Sequence, residues 1–175
     1  MVHKGKNCMN IDITLLKKEH LVYLAKIRNE PEVRKFLRQV KECTEDGQLA
    51  WFESSKIDNT RVDFTILCDM KVVGSCIVRD IDLIRKHCEV GWFVSHEFQG
   101  KGIGIKSCKK MLKFVFNDFQ MESCYAFVYS DNLKGISFAY KLGMKKAGEL
   151  RNRRIRDNIY INEIIFDITR GDFYD

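Results

Sequence analysis

The chain has 175 residues, a formal charge of +6, and 45% apolar and 11% aromatic side chains. That is enough to bury a core and too apolar for a disordered segment. No apolar run approaches the length of a membrane span, and the opening Met1–Cys8 is too polar for a signal peptide, so one cytoplasmic domain over residues 1–175 is expected.

Ile11–Leu15 alternates like a first strand. From Lys18 to Asn29, Leu21, Leu24, Ala25 and Ile27 recur at helical spacing. Pro31 fits the first turn of a short helix running to Leu37. Thr44 caps a third, in which Leu49, Trp51 and Phe52 supply apolar surface. Val62–Cys68 and Val72–Ile81 read as a hairpin around Asp69-Met70-Lys71, and His87–Val94 as the next strand. Ile103–Phe119 is the main helix, with Ile103, Cys108, Met111, Leu112, Val115 and Phe116 on its apolar side. Ser123–Tyr129, Met144–Leu150 and Ile159–Thr169 read as strands and Asn132–Leu142 as a helix. Hairpins followed by β-α-β-α-β give an α/β layer fold with a mostly antiparallel, partly parallel sheet flanked by helices.

Between the His87–Val94 strand and the main helix lies Gln99-Gly100-Lys101-Gly102-Ile103-Gly104. Alternate glycines allow close backbone approach and angles that side chains forbid. A helix starting there presents unpaired N–H groups, which attract an anion such as a phosphate. Neither the P-loop spacing nor the dinucleotide fingerprint fits. The segment reads as a phosphorylated-cofactor site or, more blandly, a flexible turn.

Seven cysteines (Cys8, Cys43, Cys68, Cys76, Cys88, Cys108, Cys124) are scattered without C-x-x-C spacing. Reduced, buried thiols and no metal site are expected. From Lys141 to Arg156, Lys141, Lys145, Lys146, Arg151, Arg153, Arg154 and Arg156 stand against Glu149 alone, a net +6 that equals the excess of the whole chain. This window reads as a solvated loop or as a contact for a phosphate-bearing ligand or acidic partner. No aromatic side chain for stacking lies inside it, which argues against nucleic acid.

Order and motifs together resemble the GNAT superfamily of acetyl-CoA-dependent N-acetyltransferases. Its [Gln/Arg]-x-x-Gly-x-[Gly/Ala] signature is matched by Gln99, Gly102 and Gly104. Asn132, eleven residues before Gly143 of Lys-Leu-Gly-Met, looks like the second signature. Arg28-Asn29-Glu30-Pro31-Glu32-Val33-Arg34 and Trp51-Phe52 are similar to the branch acetylating ribosomal-protein N-termini, polyamines and nucleotide-linked amino sugars. The likeness runs from Ile11 to Phe173. It implies a splayed parallel strand pair where the backbone of Phe93 and Val94 meets the pantetheine arm of acetyl-CoA. It also implies that Gln99, Gly100, Lys101, Gly102, Ile103 and Gly104 wrap the pyrophosphate, and that Asn132 holds the pantetheine or the loop beside it.

Many relatives carry a tyrosine four residues before the second-signature glycine, as the acid that protonates the thiolate. Here that position is Ala139, followed by Tyr140, and one residue turns a helical side chain by about 100°. Water is the alternative acid. The amine attacks the thioester directly and must be neutral; an alkyl amine near pKa 10.4 costs ~4.6 kcal/mol to deprotonate at pH 7. Glu89, on the strand leading into the loop, is the candidate base, with a structural ion pair as its other reading. Arg28, Arg34, Trp51 and Phe52 are candidate acceptor contacts. The expected acceptor is a small-molecule amine, a nucleotide-linked amino sugar by preference. A protein α-amine, or a non-catalytic acetyl-CoA-binding module, are the alternatives, and the protein is expected to be a monomer or homodimer.

Overall fold

The computed structural model describes residues 10–38 and 41–174. In chain order come β1 (Ile11–Leu15), α1 (Leu21–Asn29), α2 (Pro31–Arg34), α3 (Glu45–Ser55), β2 (Val62–Cys68), β3 (Lys71–Asp82) and β4 (His87–Val94). These are followed by α4 (Ile103–Asn117), β5 (Ser123–Tyr129), α5 (Leu133–Lys141), β6 (Lys145–Arg156), β7 (Ile159–Thr169) and α6 (Arg170–Tyr174). One sheet has the strand order β1-β2-β3-β4-β5-β7-β6. Every neighbouring pair is antiparallel except β4–β5, which is parallel. The expected mixed sheet is therefore present.

Alternation in the strands divides the apolar side chains between two faces. On one face, α4 buries Ile103, Cys108, Met111, Leu112, Val115 and Phe116 completely against β2–β5 and β7. The other face carries a smaller cluster, in which Leu24, Ile27 and Val33 of α1 and α2 pack with Phe93. Thr44 caps α3 as expected, its hydroxyl accepting from the Gly47 amide at 3.1 Å.

The lone proline opens α2, but the helix stops at Arg34 rather than Leu37. Two side chains fix this region. Asn29 exchanges two hydrogen bonds of 2.8 Å with the Cys43 backbone, and the Glu30 carboxylate accepts from the Ser95 hydroxyl and the His96 amide, each at 2.7 Å. Glu30 thus ties the α1–α2 junction to the end of β4.

The largest difference from the sequence reading is β6. The basic run expected to leave the sheet at Leu150 continues as strand to Arg156, with irregular register between Leu150 and Arg154. An edge strand tolerates charge, because only one side of its backbone needs a partner. The thiols differ at two positions, Cys43 being only half-buried and Cys68 oxidised. Cys43, Cys76, Cys88, Cys108 and Cys124 are free, and burial pushes the Cys88 thiol up to about 12, whereas Cys68 is disulfide-bonded. Cys8 lies outside the described residues.

Candidate active site

The parallel pair β4–β5 is joined only at His87–Ser123, Cys88–Cys124 and Glu89–Tyr125. Beyond Glu89 the strands part, and β5 takes its next rungs from β7 alone. The splay opens into a cleft of about 1550 Å³, walled by Val90–Val94, Gln99, Gly100, Gly102, Gly104, Phe127–Tyr129 and Asn132 on the α4–α5 side. The α1–α3 side contributes Arg28, Arg38 and Trp51. No helix among the described residues is long and apolar enough to cross a membrane, and no group of side chains there could hold a metal.

The glycine loop turns through left-handed backbone into the helix. Gly100 (φ 74°) and Gly102 (φ 76°) lie in the left-handed region, and a Cβ at either would meet nothing within 4 Å. Space at these backbones is what a phosphate needs. Gly102 caps α4, so the first-turn amides of Ile103, Gly104 and Ile105 lack intrahelical acceptors. Gly104 also serves packing: a Cβ there would lie 2.9 Å from the Phe138 ring, which stacks on Trp92 at 4.8 Å. The Gln99 side chain donates to the Val94 carbonyl at 3.0 Å, bracing the loop on β4. Lys101 lays its ammonium over the Phe98 ring at 5.3 Å and does not line the cleft, and the Ile103 side chain is fully buried. Asn132 is on the cleft wall, where its carbonyl oxygen caps α5 by accepting from the Gly135 amide at 2.9 Å.

Glu89 sits at the last rung before the splay, buried to 3% exposure. It lines the cleft, and it is ion-paired with Arg79 across the β3–β4 rung and with Arg38, at 3.2 Å to one oxygen and 3.4 Å to the other. Tyr140 is exposed, stands edge-on to Phe166 at 5.2 Å and is absent from the cleft wall. The side of α5 on that wall carries Lys134, Ser137, Phe138 and Lys141, spaced as one helical face. Ser137 is thus the hydroxyl that α5 brings to the cleft, and only the register of the finished helix reveals it.

Arg28 is in the wall, and burial pulls its guanidinium below the ordinary value. Trp51 is there too, with the Arg61 guanidinium 4.9 Å above its ring and Arg61 itself bidentate on Asp63 at 2.6 and 2.9 Å. Phe52 lies off the wall under Lys56. Of the basic window only Lys141 reaches the cleft. Lys145 pairs with Asp172, Lys146 with Glu149 and Arg156 with Asp131, while Arg154 donates to the Leu37 carbonyl. Apart from Glu149, these partners are distant in sequence, so the window mostly fastens the sheet edge to its surroundings.

Splayed parallel strands beside a glycine-capped helix make a slot with backbone donors on both walls. A family model for the acetyltransferase (GNAT) domain matches residues 11–145. The chain belongs to the GNAT family of N-acetyltransferases. Its acetyl donor is acetyl-CoA, and the slot fits that cofactor's thin arm and phosphates. The chain is 24% identical over 161 residues to the spermidine N(1)-acetyltransferase of Escherichia coli K12, spanning 89% of this chain and 83% of that protein. It is 22% identical to the acetyltransferase PseH of Campylobacter jejuni, over 71% of this chain and 76% of the other. It spans 58% of the length of YdaF of Bacillus subtilis, at 22% identity over 63% of its own. The spermidine N-acetyltransferase of Vibrio cholerae, solved with CoA and spermine, superimposes with a TM-score of 0.87 at 17% identity, covering 94% of this chain and 98% of that one. At that identity the likeness speaks for the fold.

Proposed function

We propose that the chain moves the acetyl group of acetyl-CoA to the primary amine of a small molecule that also bears an anionic group, a nucleotide-linked amino sugar being the class that fits best. The observation that carries this is the charge of the acceptor side of the cleft. Its wall holds Arg28, Lys35, Arg38, Arg61 and Arg79 against Glu32, Glu42 and Glu89. The wall's cations outnumber its carboxylates by two, which disfavours a polycation such as spermidine and suits an anionic group, with Arg61 itself held by Asp63 and both Arg38 and Arg79 by Glu89. Arg28 and Trp51 are the acceptor contacts in this reading, and Phe52 serves packing.

The amine attacks the thioester carbon directly. Glu89 takes the proton it sheds, directly or through water, and relieves part of the ~4.6 kcal/mol that deprotonating an alkyl amine costs at pH 7. We assign the proton for the departing thiolate to Ser137 in place of Tyr140. The open, large cleft favours a second reading, a protein α-amine, whose deprotonation costs only about 1.4 kcal/mol.

Thiol release from acetyl-CoA with a UDP-linked amino sugar, spermidine and a short peptide with a free N-terminus separates these. The account expects kcat/KM to be highest for the amino sugar. A preference for spermidine would overturn the anionic acceptor, and a preference for the peptide would establish the second reading.

A further inference from the structure

The register of three strands brings unlike groups together on one face of the sheet at the splay. Glu89 pairs with Tyr125, Phe127 follows two residues along the same face of β5, and Glu163 of β7 is opposite Tyr129. Glu89 and Glu163 are 3% and 6% exposed, among the few charged side chains this protein buries. A cation already lies between them. The Arg38 guanidinium is centred 4.8 Å over the Phe127 ring, reaches Glu89 at 3.2 and 3.4 Å and Glu163 at 3.6 Å.

The partners of these carboxylates are not equal. Arg79 is bound closely to Glu89, and Arg153 approaches Glu163 at 3.9 Å. Arg38 is held less closely by Glu89 than Arg79 is, lies nearer to Glu163 than Arg153 does, and is 44% exposed. Its withdrawal leaves Glu89 in close contact with Arg79, and Glu163 with the Arg153 guanidinium at 3.9 Å. Removing the sole partner of a buried charge is costly, whereas exchanging one cation for another is not. The place it holds is also where the reaction needs a cation to arrive. An alkyl amine travels as its ammonium at neutral pH and must reach the thioester at the splay.

We propose that Glu89, Glu163 and the face of Phe127 form the subsite for the acceptor's ammonium group, and that the Arg38 guanidinium fills it until the acceptor displaces it. The inference rests on the acetyltransferase reading of the cleft and adds two residues, Phe127 and Glu163, and a resident competitor to it. It also divides the acceptor: the ammonium end meets two carboxylates and an aromatic face, and the anionic end lies toward Arg28. Aromatic faces attract cations most where water is excluded. A ligand whose site is occupied for most of the time binds more weakly by the fraction left open.

The test uses n-butylammonium as the probe, neutral n-butanol as its control, and binding to the full chain followed by NMR in the presence of acetyl-CoA. Arg38→Gln should tighten n-butylammonium about tenfold if the guanidinium fills the subsite nine-tenths of the time. Arg38→Lys, which keeps a cation there, should stay near wild type, and n-butanol should respond to neither. Adding Glu163→Gln to Arg38→Gln should remove the gain. Unchanged or weaker n-butylammonium binding in Arg38→Gln, or a gain that survives Glu163→Gln, overturns the proposal. Acetyl-CoA affinity, measured on each variant, keeps the two readings apart. Its absence from the wild type would count against the cofactor site, whereas its retention beside an unmoved n-butylammonium affinity counts against the subsite alone.

Discussion

The two ends of the cleft are made of different material. The proposed cofactor end is backbone: two left-handed glycines, the first-turn amides of α4 and the unpaired edge of β4 past Glu89. The proposed acceptor end is side chain: Arg28, Arg38, Arg61 and Arg79 arranged around Glu89, Phe127 and Trp51. Backbone donors serve any sequence that bends correctly, so a few glycines fix them. Side-chain constellations depend on which strands end up adjacent. The first end is suited to a constant cofactor, the second to an acceptor that differs between relatives.

The sharpest way to break this contrast is Gly102→Val. A β-branched residue resists the positive φ at the cap of α4 and fills the open space above it. Acetyl-CoA affinity should fall by roughly a hundredfold or more, the scale of losing several charge-assisted backbone contacts, while circular dichroism stays native. Calorimetric titration reads this, and unchanged affinity would reduce the loop to a turn. Lys101→Ala, which alters only a side chain held over Phe98, should move the same affinity by less than about threefold, in line with an exposed charge.

At the other end, Glu89→Gln should lower kcat by roughly 10²-fold, the lower range for loss of a general base. Higher pH should restore part of it by deprotonating the amine in solution. Tyr140→Phe should change kcat less than about twofold, because a hydroxyl off the cleft wall carries no proton to the reaction. Ser137→Ala should cost more than Tyr140→Phe. Steady-state kinetics with the preferred acceptor checks the order, and a Tyr140→Phe loss exceeding that of Glu89→Gln would reverse the assignment.

These two ends were not equally legible in the sequence. The glycine loop, the strand before it and α4 are consecutive in the chain, so spacing alone placed them. Glu89 was visible as a carboxylate entering the loop, but its partner Arg38 comes from 51 residues earlier, and Glu163, which shares that guanidinium, comes from β7 at the far side of the splay. The role of Gly104 required knowing that α5 would bring Phe138 against it. The basic window misled for the same reason: Arg154 finds the Leu37 carbonyl 117 residues away, and Arg156 finds Asp131. Helix register explains Tyr140, since Ala139 takes the buried position and the next residue turns outward.

Smaller effects sharpen the picture. Gly74→Ala would place a Cβ 2.2 Å from the Phe93 carbonyl oxygen, forcing β3 from the β4 backbone that lines the slot. It should cost about 1–3 kcal/mol, as overpacking does, and weaken acetyl-CoA more than thermal melting alone explains. Asn132→Ala should cost about 1 kcal/mol by removing the α5 cap.

Away from both ends, Lys145 and Thr169 hold the Asp172 carboxyl down to about 2 from 3.8. Its folded value is depressed, so its contribution to stability is present above pH 4 and disappears as pH falls toward 2. Asp172→Asn should flatten that part of the acid-unfolding curve without touching acetyl-CoA affinity at neutral pH.

Amide hydrogen exchange with and without acetyl-CoA tests most directly whether backbone groups hold the cofactor. Protection should rise at the first-turn amides of α4, Ile103 to Ile105, and along the β4 edge from Gly91 to Val94, with little change in β6. Protection confined to the basic side chains' own segment, β6, with the α4 and β4 amides exchanging as before, would contradict a backbone-built cofactor site.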